Sequence, residues 1–297
     1  MNSVVSYPSR GNFGKSDYRG NCSGFVIEDL INHFNPKLFV DVCEGSGTSR
    51  DVCKKHNVNY IGLDLHNGFD FTQQSVLNKV GRPADMVFSH PPYHDMIDYS
   101  KERVKHGLES IAGNDLSQCR SVEEFLELAN TMLLNQREAT KNGGIYTTLI
   151  GDMRKNGNFF SFQSDFIKMM PKDELISVTI KLQHNTVSQN RVYGGKFIPI
   201  LHEYLIIWKR AQITMAQMVW DKAMEFKRSM NTTWATYIRM ALMNLGGEAT
   251  LDKIYSEIEN VAGHKVMANS NYKAKVRQQL QYHFVNVSRG RWASSTK

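Results

Sequence analysis

The chain has 297 residues, with 36 Lys and Arg against 29 Asp and Glu and a net charge of +7 at pH 7. Hydrophobic residues make up 41% and charged residues 22%, which excludes a disordered polyelectrolyte and allows one large domain, or a medium domain with a small one. No apolar run approaches the roughly 20 residues of a membrane span, so no membrane partner is expected. The four cysteines form no C-x-x-C pair. They are typical of reduced thiols in a cytoplasmic protein, and no metal site is predicted.

Helical and strand patterns alternate over the first 210 residues. Helices are predicted over 24–34, 50–55, 121–141 and 160–170, and strands over 38–42, 60–63, 84–88, 145–150, 175–182 and 199–208. This alternation predicts a mainly parallel sheet, in which the last two strands, joined without a helix, form an antiparallel edge pair. Residues 1–22 are polar and Gly-rich and are expected to be ordered only if they fold over something.

Beyond residue 210 the patterns are mostly helical. A helical connector over 211–230 precedes three helices over 233–245, 251–261 and 271–283 and a hairpin-like segment over 284–292. Three short helices followed by a hairpin are the order of a winged-helix domain. The sequence therefore predicts two domains, 1–210 and 211–297.

A Gly-rich turn with two acids follows the first predicted strand, at Asp41, Glu44, Gly45, Ser46 and Gly47. Glycine lets the backbone approach a ligand, and the start of the next helix offers free N–H groups. Two features argue against a dinucleotide: Arg50 stands where G-x-G-x-x-G has its third glycine, and Glu44 would place a carboxylate beside a pyrophosphate. An acidic turn suits a nucleoside that carries a cation.

Two further acids extend this candidate pocket. Asp64, followed by Leu65, lies at the end of the second strand and can accept hydrogen bonds from ribose hydroxyls. Asp70 can accept from the amino group of an adenine, and Phe71 can pack on its face. Together with the turn, these residues predict a site for S-adenosyl-L-methionine. The alternative is an ordinary Gly turn with surface acids.

The most specific stretch is Ser89-His90-Pro91-Pro92-Tyr93, directly after a buried strand. Ligands bind at this carboxyl edge of the sheet in doubly wound folds. The two prolines restrict the backbone and make the stretch stiff. The alternative is a proline-rich turn with an exposed histidine.

This stretch resembles the signature of the amino-methylating DNA methyltransferases, an Asp, Asn or Ser followed by Pro-Pro-Tyr. The resemblance implies that His90 and the carbonyl of Pro91 accept hydrogen bonds from an exocyclic amine, which attacks the methyl group of the sulfonium. It also implies that Tyr93, after Pro92, stacks on the extruded base. Because only a neutral imidazole can accept, His90 in place of Asp, Asn or Ser predicts that activity falls with pH, roughly between pH 8 and 5.5.

The order of the motifs fits the gamma arrangement of that family. Tyr18, Asn21 and Cys22 fall where its N-terminal cofactor-covering motif lies, and residues 202–209 look like the closing strand. The resemblance covers about residues 14–210. It implies an α/β fold with the Rossmann-like sheet of class I methyltransferases and S-adenosyl-L-methionine as cofactor.

Positive charge is concentrated in the last third of the chain. Residues 211–297 hold twelve Lys and Arg against six Asp and Glu, and no acidic residue occurs from Asn260 onward. The candidate phosphate ligands are Lys273, Lys275, Arg277, Arg289 and Arg291. The partner that this pattern predicts is double-stranded DNA, and the alternative is a solvated basic face.

Two loops, 94–120 and 183–196, are the candidates for reading a target sequence. The second carries Asn185, Gln189, Asn190 and Arg191, which can contact bases or phosphates. With so little room for recognition, short or relaxed sequence specificity is expected. In this the chain is similar to small prophage-borne adenine methyltransferases, which would act at the nucleoid of a bacterial or phage-infected cell.

The sequence thus predicts a DNA methyltransferase acting on an exocyclic amine, N6 of adenine in preference to N4 of cytosine. Two alternatives stay open. One is the same chemistry on RNA or on a protein glutamine. The other is a winged-helix DNA-binding regulator whose methyltransferase-like domain is inert.

Overall fold

The computed structural model describes residues 1–105, 113–184, 198–267 and 269–294. The chain forms two compact units, Met1–Gln212 and Ile213–Lys297.

The first unit is built on a seven-stranded sheet. Its strands, in order across the sheet, are β1 (Val4–Ser6), β8 (Leu175–Leu182), β9 (His202–Lys209), β5 (Thr140–Ile150), β4 (Ala84–Ser89), β2 (Leu38–Asp41) and β3 (Asn59–Gly62). Strand β9 runs antiparallel to both of its neighbours, and the other pairs are parallel. The predicted fold class, a Rossmann-like α/β sheet of mainly parallel strands, is confirmed.

Six helices and a small hairpin accompany the sheet in the described part of this unit. They are α1 (Gly24–Phe34), α2 (Thr48–Lys55), α3 (Val76–Val80), α4 (Tyr99–Lys105), α5 (Val122–Ala139) and α6 (Phe162–Met169), with the hairpin strands β6 (Met153–Lys155) and β7 (Asn158–Phe160). Alternate strand residues reach separate cores: Leu149 packs in the cluster that contains α1, and Ile150 in the cluster that contains α5 and α6. The sheet is therefore covered on both faces, which fits its largely apolar strands.

Local sequence signals explain where two of these helices begin and end. Helix α1 begins after Ser23, whose hydroxyl accepts from the N–H of Phe25, and ends at Asn35 in the left-handed region. Helix α5 begins after Ser121, whose hydroxyl accepts from the N–H of Glu124 at 3.2 Å. The Glu124 carboxylate in turn accepts from the N–H of Arg120.

The helix predicted over 121–141 ends two residues earlier in the structure, and the Gly pair that follows it, Gly143 and Gly144, is part of a strand. Helix α5 already ends at Ala139, and both glycines lie inside β5. The N–H of Gly143 donates to the carbonyl of Arg210, and the N–H of Arg210 donates to the carbonyl of Gly144. Pairing with the end of β9 therefore overrides the usual role of a Gly pair as a helix terminator.

The N-terminal segment contributes a strand that its polar composition did not indicate. Val4 and Ser6 of β1 pair in parallel with Ile180 and Leu182 of β8. Strand β1 is thus at the edge, and the antiparallel strand β9 lies inside the sheet. The expectation of an antiparallel pair at the edge is corrected accordingly.

The second unit combines helices with a three-stranded antiparallel sheet. Its elements are α7 (Met215–Asn244), β10 (Glu248–Thr250), α8 (Leu251–Val261), α9 (Gly263–Met267), α10 (Tyr272–His283), β11 (Phe284–Ser288) and β12 (Arg291–Ser294). The sheet order is β10-β12-β11, and β11 with β12 forms the predicted hairpin. Its core includes Ile238, Ile254, Ile258, Val276 and Leu280. The two helices expected over 211–230 and 233–245 are one continuous helix.

Among the helices that the structure describes, none has the length and apolar character needed to cross a lipid bilayer.

Candidate active site

A cavity lies at the carboxyl ends of β2, β3 and β4. Nine of the twelve predicted cofactor residues line it: Tyr18, Asn21, Cys22, Asp41, Glu44, Gly45, Asp64, Leu65 and Phe71. His90 and Pro92 of the Pro-Pro-Tyr stretch line it as well. Motifs that are far apart in sequence therefore meet because parallel strands end at the same edge of the sheet.

Two carboxylates, the buried Asp41 and the partly buried Asp64, hold the Gly-rich turn in shape. Asp41 accepts from the N–H of Cys43 at 2.9 Å and from the hydroxyl of Ser49 at 2.5 Å. Asp64 accepts from the N–H of Gly45 at 2.9 Å and from the N–H of His66 at 3.0 Å. The two acids thus fix the backbone of the turn while their side chains stay in the cavity wall.

The charges in this wall differ in how strongly they are neutralised. Burial raises the pKa of Asp41 to about 7, against the lowering effect of its bonds from Ser49 and Cys43. Glu44 forms an ion pair with Arg50 at 3.1 Å. The Glu44 charge is therefore shared with a cation of the chain itself, and the Asp64 carboxylate lies 2.8 Å from His66 Nδ1.

Ser46 and Gly47, two residues predicted to bind the cofactor, do not line the cavity. The Ser46 hydroxyl donates to the amide oxygen of Asn21 at 2.7 Å and accepts from the N–H of Lys15 at 3.1 Å, so it ties the N-terminal segment to the turn. Gly47 precedes α2 with a φ of 88°, a conformation that favours glycine.

Asp70, predicted to bind an adenine amino group, is bound within its own loops. Its carboxylate accepts from Thr72, from Gln73 at 3.0 Å and from the N–H of Asn114 at 2.9 Å. Asn114 and Phe71 both line the cavity. Asp70 therefore supports the wall of the cavity from behind its lining residues.

A second cavity of about 240 Å³ adjoins the first. Four residues line both cavities: Gly20, Asn21, His90 and Tyr99. Tyr93, Met96, Ile97, Lys181, Gln183, His184 and Glu203 line the second one alone. The His90 side chain thus stands at the boundary between two spaces.

A row of hydrogen-bonded side chains forms part of the wall of the second cavity. His90 Nε2 lies 2.9 Å from the hydroxyl oxygen of Tyr93, which donates to Glu203 Oε1 at 2.8 Å. Lys181 Nζ donates to Glu203 Oε2 at 2.6 Å. Burial by itself raises the pKa of Glu203, but the charge of Lys181 and the hydrogen bonds outweigh it and lower that pKa to about 2. Glu203 is therefore ionised at neutral pH.

Burial lowers the pKa of His90 to about 4, with the nearby charge of Glu203 raising it and that of Lys181 lowering it further. The imidazole is therefore neutral and able to accept a hydrogen bond over the whole physiological range. This moves the expected acid limb of activity well below the range assumed from the sequence, since the ordinary pKa of histidine does not apply in this wall.

The Pro-Pro-Tyr stretch is anchored from both ends. Ser89 is fully buried, and its hydroxyl lies 3.0 Å from Gln136 Oε1 and 2.7 Å from Thr148 Oγ1. The Tyr93 ring packs against Gly151, where a Cβ atom would lie 2.7 Å from Tyr93 Cε2. Pro91 is itself buried. The stretch therefore has little freedom to move relative to the sheet.

Sequence reasoning missed several residues of the two walls, among them Tyr99, Lys181 and Glu203. Lys181 and Glu203 face each other across β8 and β9 and are 8% and 7% exposed. Each is a charged residue near the end of an apolar strand, which is a signal that reasoning from the sequence could have used.

The predicted DNA-binding residues fall into two groups. Asn185, Gln189, Asn190 and Arg191 lie outside the residues that the structure describes. In the second unit, Lys273, Lys275 and Arg277 lie on the exposed side of α10, and Arg289 and Arg291 lie at the hairpin turn. Lys273 lies over the ring of Tyr255 at 5.2 Å, and Arg277 Nη1 donates to the Tyr255 hydroxyl at 3.2 Å. Arg291 pairs with Glu248 at 2.7 Å.

Within the described ranges, no group of three or more His, Cys, Asp or Glu side chains could hold a metal ion. All four cysteines are free thiols. Cys53 is buried in the core beside α1, and the nearby His56 contacts Glu28 at 3.2 Å.

No family model and no curated protein matches the chain. Among solved structures it is similar to TTHA0409 from Thermus thermophilus, a protein assigned as a DNA modification methylase and complexed with S-adenosyl-L-methionine, at 15% identity over 60% of this chain and 59% of that one, with a TM-score of 0.29. It is similar to TehB from Haemophilus influenzae at 12% identity over 63% of this chain and 62% of that one, with a TM-score of 0.35. A third is TrmN from Thermus thermophilus, at 10% identity over 65% of this chain and 51% of that one, with a TM-score of 0.33.

The chain thus spans between 51% and 62% of the length of these three proteins. At such identities and TM-scores, the function of this chain has to be inferred from its own residues.

Proposed function

We propose that this chain is an S-adenosyl-L-methionine-dependent DNA methyltransferase that acts on the exocyclic amine of a flipped base, N6 of adenine. The observation that carries the proposal is the position of His90 between two adjoining cavities. A methyl donor in the first cavity and a base in the second would meet at this side chain, in the stretch that resembles the signature of amine methylation.

The residues of the first cavity fit S-adenosyl-L-methionine. Asp64 can accept from ribose hydroxyls, Phe71 offers an aromatic face, and Asp41 supplies a carboxylate near the turn. When bound, this cofactor supplies a methyl group made electrophilic by its sulfonium. The pKa of Asp41 is about 7, and a positively charged ligand nearby would lower it. Binding of such a ligand would therefore favour the ionised carboxylate of Asp41.

The residues of the second cavity suit a base that has left the stack. A neutral His90 accepts a hydrogen bond from the amine and orients the nitrogen lone pair toward the methyl donor. Tyr93 offers an aromatic surface to the base, with its hydroxyl held by Glu203. His90 also serves as the acceptor for the proton that the nitrogen releases. Base extrusion is required because the amine of a stacked base in a duplex is not accessible to the methyl donor and to His90.

The second unit supports double-stranded DNA as the substrate. Its helices α8 and α10 followed by the hairpin of β11 and β12 have the element order of a winged-helix domain, and the exposed side of α10 is basic. We assign cofactor and base binding to residues 1–210 and phosphate contacts to residues 211–297. Phosphate contacts give affinity without reading sequence, which is consistent with short or relaxed specificity.

Methyl transfer from tritiated S-adenosyl-L-methionine to duplex DNA, RNA and protein tests the proposal. We expect incorporation into DNA and release of N6-methyladenine after digestion to nucleosides. Tyr93→Ala should remove transfer and leave cofactor affinity, measured by calorimetry, within about twofold. Transfer only to RNA or to glutamine would establish the same chemistry on another substrate. Cofactor binding without transfer to any of the three would favour an inert DNA-binding regulator.

Sequencing of plasmid DNA methylated by the protein tests its specificity. We expect methylated adenines in many contexts. Methylation confined to a single recognition motif would contradict relaxed specificity without affecting the proposed chemistry.

A further inference from the structure

The protons in the row of side chains beside His90 can be assigned from its hydrogen bonds. Glu203 is ionised and can only accept, so Lys181 and the Tyr93 hydroxyl both donate to it. Tyr93 has a single hydroxyl proton, and that proton is directed to Glu203. Its oxygen can therefore only accept from His90 Nε2, at 2.9 Å.

This assignment determines which nitrogen of His90 carries the proton. A neutral imidazole has one N–H and one acceptor nitrogen. If Nε2 donates to Tyr93, then Nδ1 is the acceptor. Within the described part of the chain, the contact with Tyr93 is the single hydrogen bond of the His90 ring, so Nδ1 remains available to another partner.

We propose that Lys181 and Glu203 are positioning residues that act through the Tyr93 hydroxyl to hold His90 in the Nε2–H tautomer, with Nδ1 as the acceptor for the substrate amine. The inference rests on the proposed function, because methyl transfer to an amine is the reaction in which His90 Nδ1 would act as the acceptor. The opposite tautomer would present an N–H to the amine and turn a lone pair toward the Tyr93 oxygen. It would both repel the substrate and lose the hydrogen bond.

The inference explains why two charged residues with little exposure lie opposite each other in β8 and β9. Removing two charges from water is costly, and a buried pair is weak evidence for a gain in stability. Lys181 and Glu203 are opposite each other in the register of β8 and β9 and fully satisfy each other's charge. A fixed anion at this point is what directs the Tyr93 proton away from His90.

Tyr93→Phe is the most direct test, because it keeps the aromatic ring and removes only the hydroxyl. Nitrogen-15 NMR of histidine-labelled protein distinguishes the two tautomers, and His90→Asn identifies the His90 signals. In the wild type we expect Nε2 protonated and Nδ1 unprotonated. In Tyr93→Phe, the Nδ1 resonance should shift toward that of a protonated nitrogen as the two tautomers mix.

Tyr204→Phe is the matched control, since it removes another hydroxyl that contacts a histidine, His202, at 2.7 Å. It should leave the His90 resonances and the transfer rate unchanged. The double variant Lys181→Met/Glu203→Leu removes both charges together, so no uncompensated charge stays buried. It should give the same mixed tautomers as Tyr93→Phe while Tyr93 itself is retained.

In the methyl-transfer assay, Tyr93→Phe should lower kcat about five- to tenfold and change KM little, because one hydrogen bond orients the acceptor. Unaltered His90 resonances in Tyr93→Phe would overturn the inference whatever the substrate. A wild-type protein without transfer activity but with the Nε2–H tautomer would contradict the proposed function alone. The NMR and kinetic results therefore separate the two claims.

Discussion

At the scale of single residues, His90 differs most from the expectation formed on sequence. A histidine of ordinary pKa would lose its acceptor within the range in which most enzymes work. In this wall burial lowers that pKa to about 4, so the neutral imidazole persists in mildly acidic solution. A histidine in place of the usual Asp, Asn or Ser can therefore still accept a hydrogen bond at neutral pH, because burial lowers its pKa.

We expect kcat to be flat roughly between pH 5.5 and 8 and to fall as the pH approaches 4, because protonation of His90 removes the acceptor. His90→Asn should retain some activity and lose this acid limb. At His90 the folded state binds fewer protons than the unfolded chain between about pH 4 and 6.5, so the contribution of this residue to stability falls in that window as the pH drops, whereas Asp41, with its pKa raised to about 7, contributes in the opposite direction. Circular dichroism at each pH separates unfolding from titration. An inflection of kcat near pH 6.5 in folded protein would contradict the assignment.

Gly151 provides a second prediction at this scale. A methyl group at this position would lie 2.7 Å from Tyr93 Cε2, and the ring is held at its hydroxyl by Glu203 and His90. Gly151→Ala should therefore displace the ring and lower kcat by about tenfold, with cofactor affinity within about twofold. Gly263→Ala, where the added methyl meets open space, is the control and should behave as wild type. Equal kcat in both variants would show that the position of the Tyr93 ring is unimportant.

At the scale of elements, the motifs that sequence reasoning located best are those that follow continuous apolar strands. The turn after β2 and the stretch after β4 could be predicted because a run of apolar residues ends abruptly at polar ones. The pairing of Lys181 with Glu203 in the wall of the second cavity could not be predicted from the sequence, since it depends on the register between β8 and β9. Strand β1 was missed for a similar reason: three residues in a polar segment form a strand through pairing with a distant one.

Asp70 also belongs to this scale, because its effect is to connect two loops. Its carboxylate accepts from the N–H of Thr72 and from the N–H of Asn114, which lines the first cavity. Asp70→Ala should raise the cofactor Kd about tenfold without altering kcat at saturation, since the lost bonds loosen the wall and leave the reacting groups in place. Calorimetry gives the Kd, and hydrogen exchange should report lower protection at the Asn114 amide. Unchanged exchange with a raised Kd would point to direct contact between Asp70 and the ligand.

At the scale of the whole molecule, the net charge of +7 is unevenly distributed, with a nearly neutral first unit and a basic second one. The candidate phosphate ligands of the second unit are not equivalent. Arg291 is paired with Glu248, and Arg277 and Lys273 contact Tyr255. The side chains of Lys275 and Arg289 are exposed and have no hydrogen bond or ion pair among the described residues.

The double variant Lys275→Ala/Arg289→Ala should therefore weaken DNA binding and lower the slope of log Kd against log salt concentration by up to about 1.8, at about 0.9 for each lost phosphate contact. Fluorescence anisotropy over a series of salt concentrations measures this slope. Lys79→Ala/Lys172→Ala removes the same charge from exposed positions of the first unit and should leave the slope nearly unchanged. The reverse pattern would assign the DNA surface to the first unit.

The position of β1 at the edge of the sheet has a consequence for how the protein is made. Strand β8 joins the sheet through β9, which the ribosome produces later, and β1 joins only through β8. Strand β1 therefore pairs only with a strand that is synthesised much later, and Lys181 and Glu203 can face each other only after β9 has emerged. A nascent chain stopped before that point carries the Gly-rich turn and the Pro-Pro-Tyr stretch, but the wall of the second cavity is unfinished. Folding order thus delays completion of the two adjoining cavities until the whole first unit has been translated.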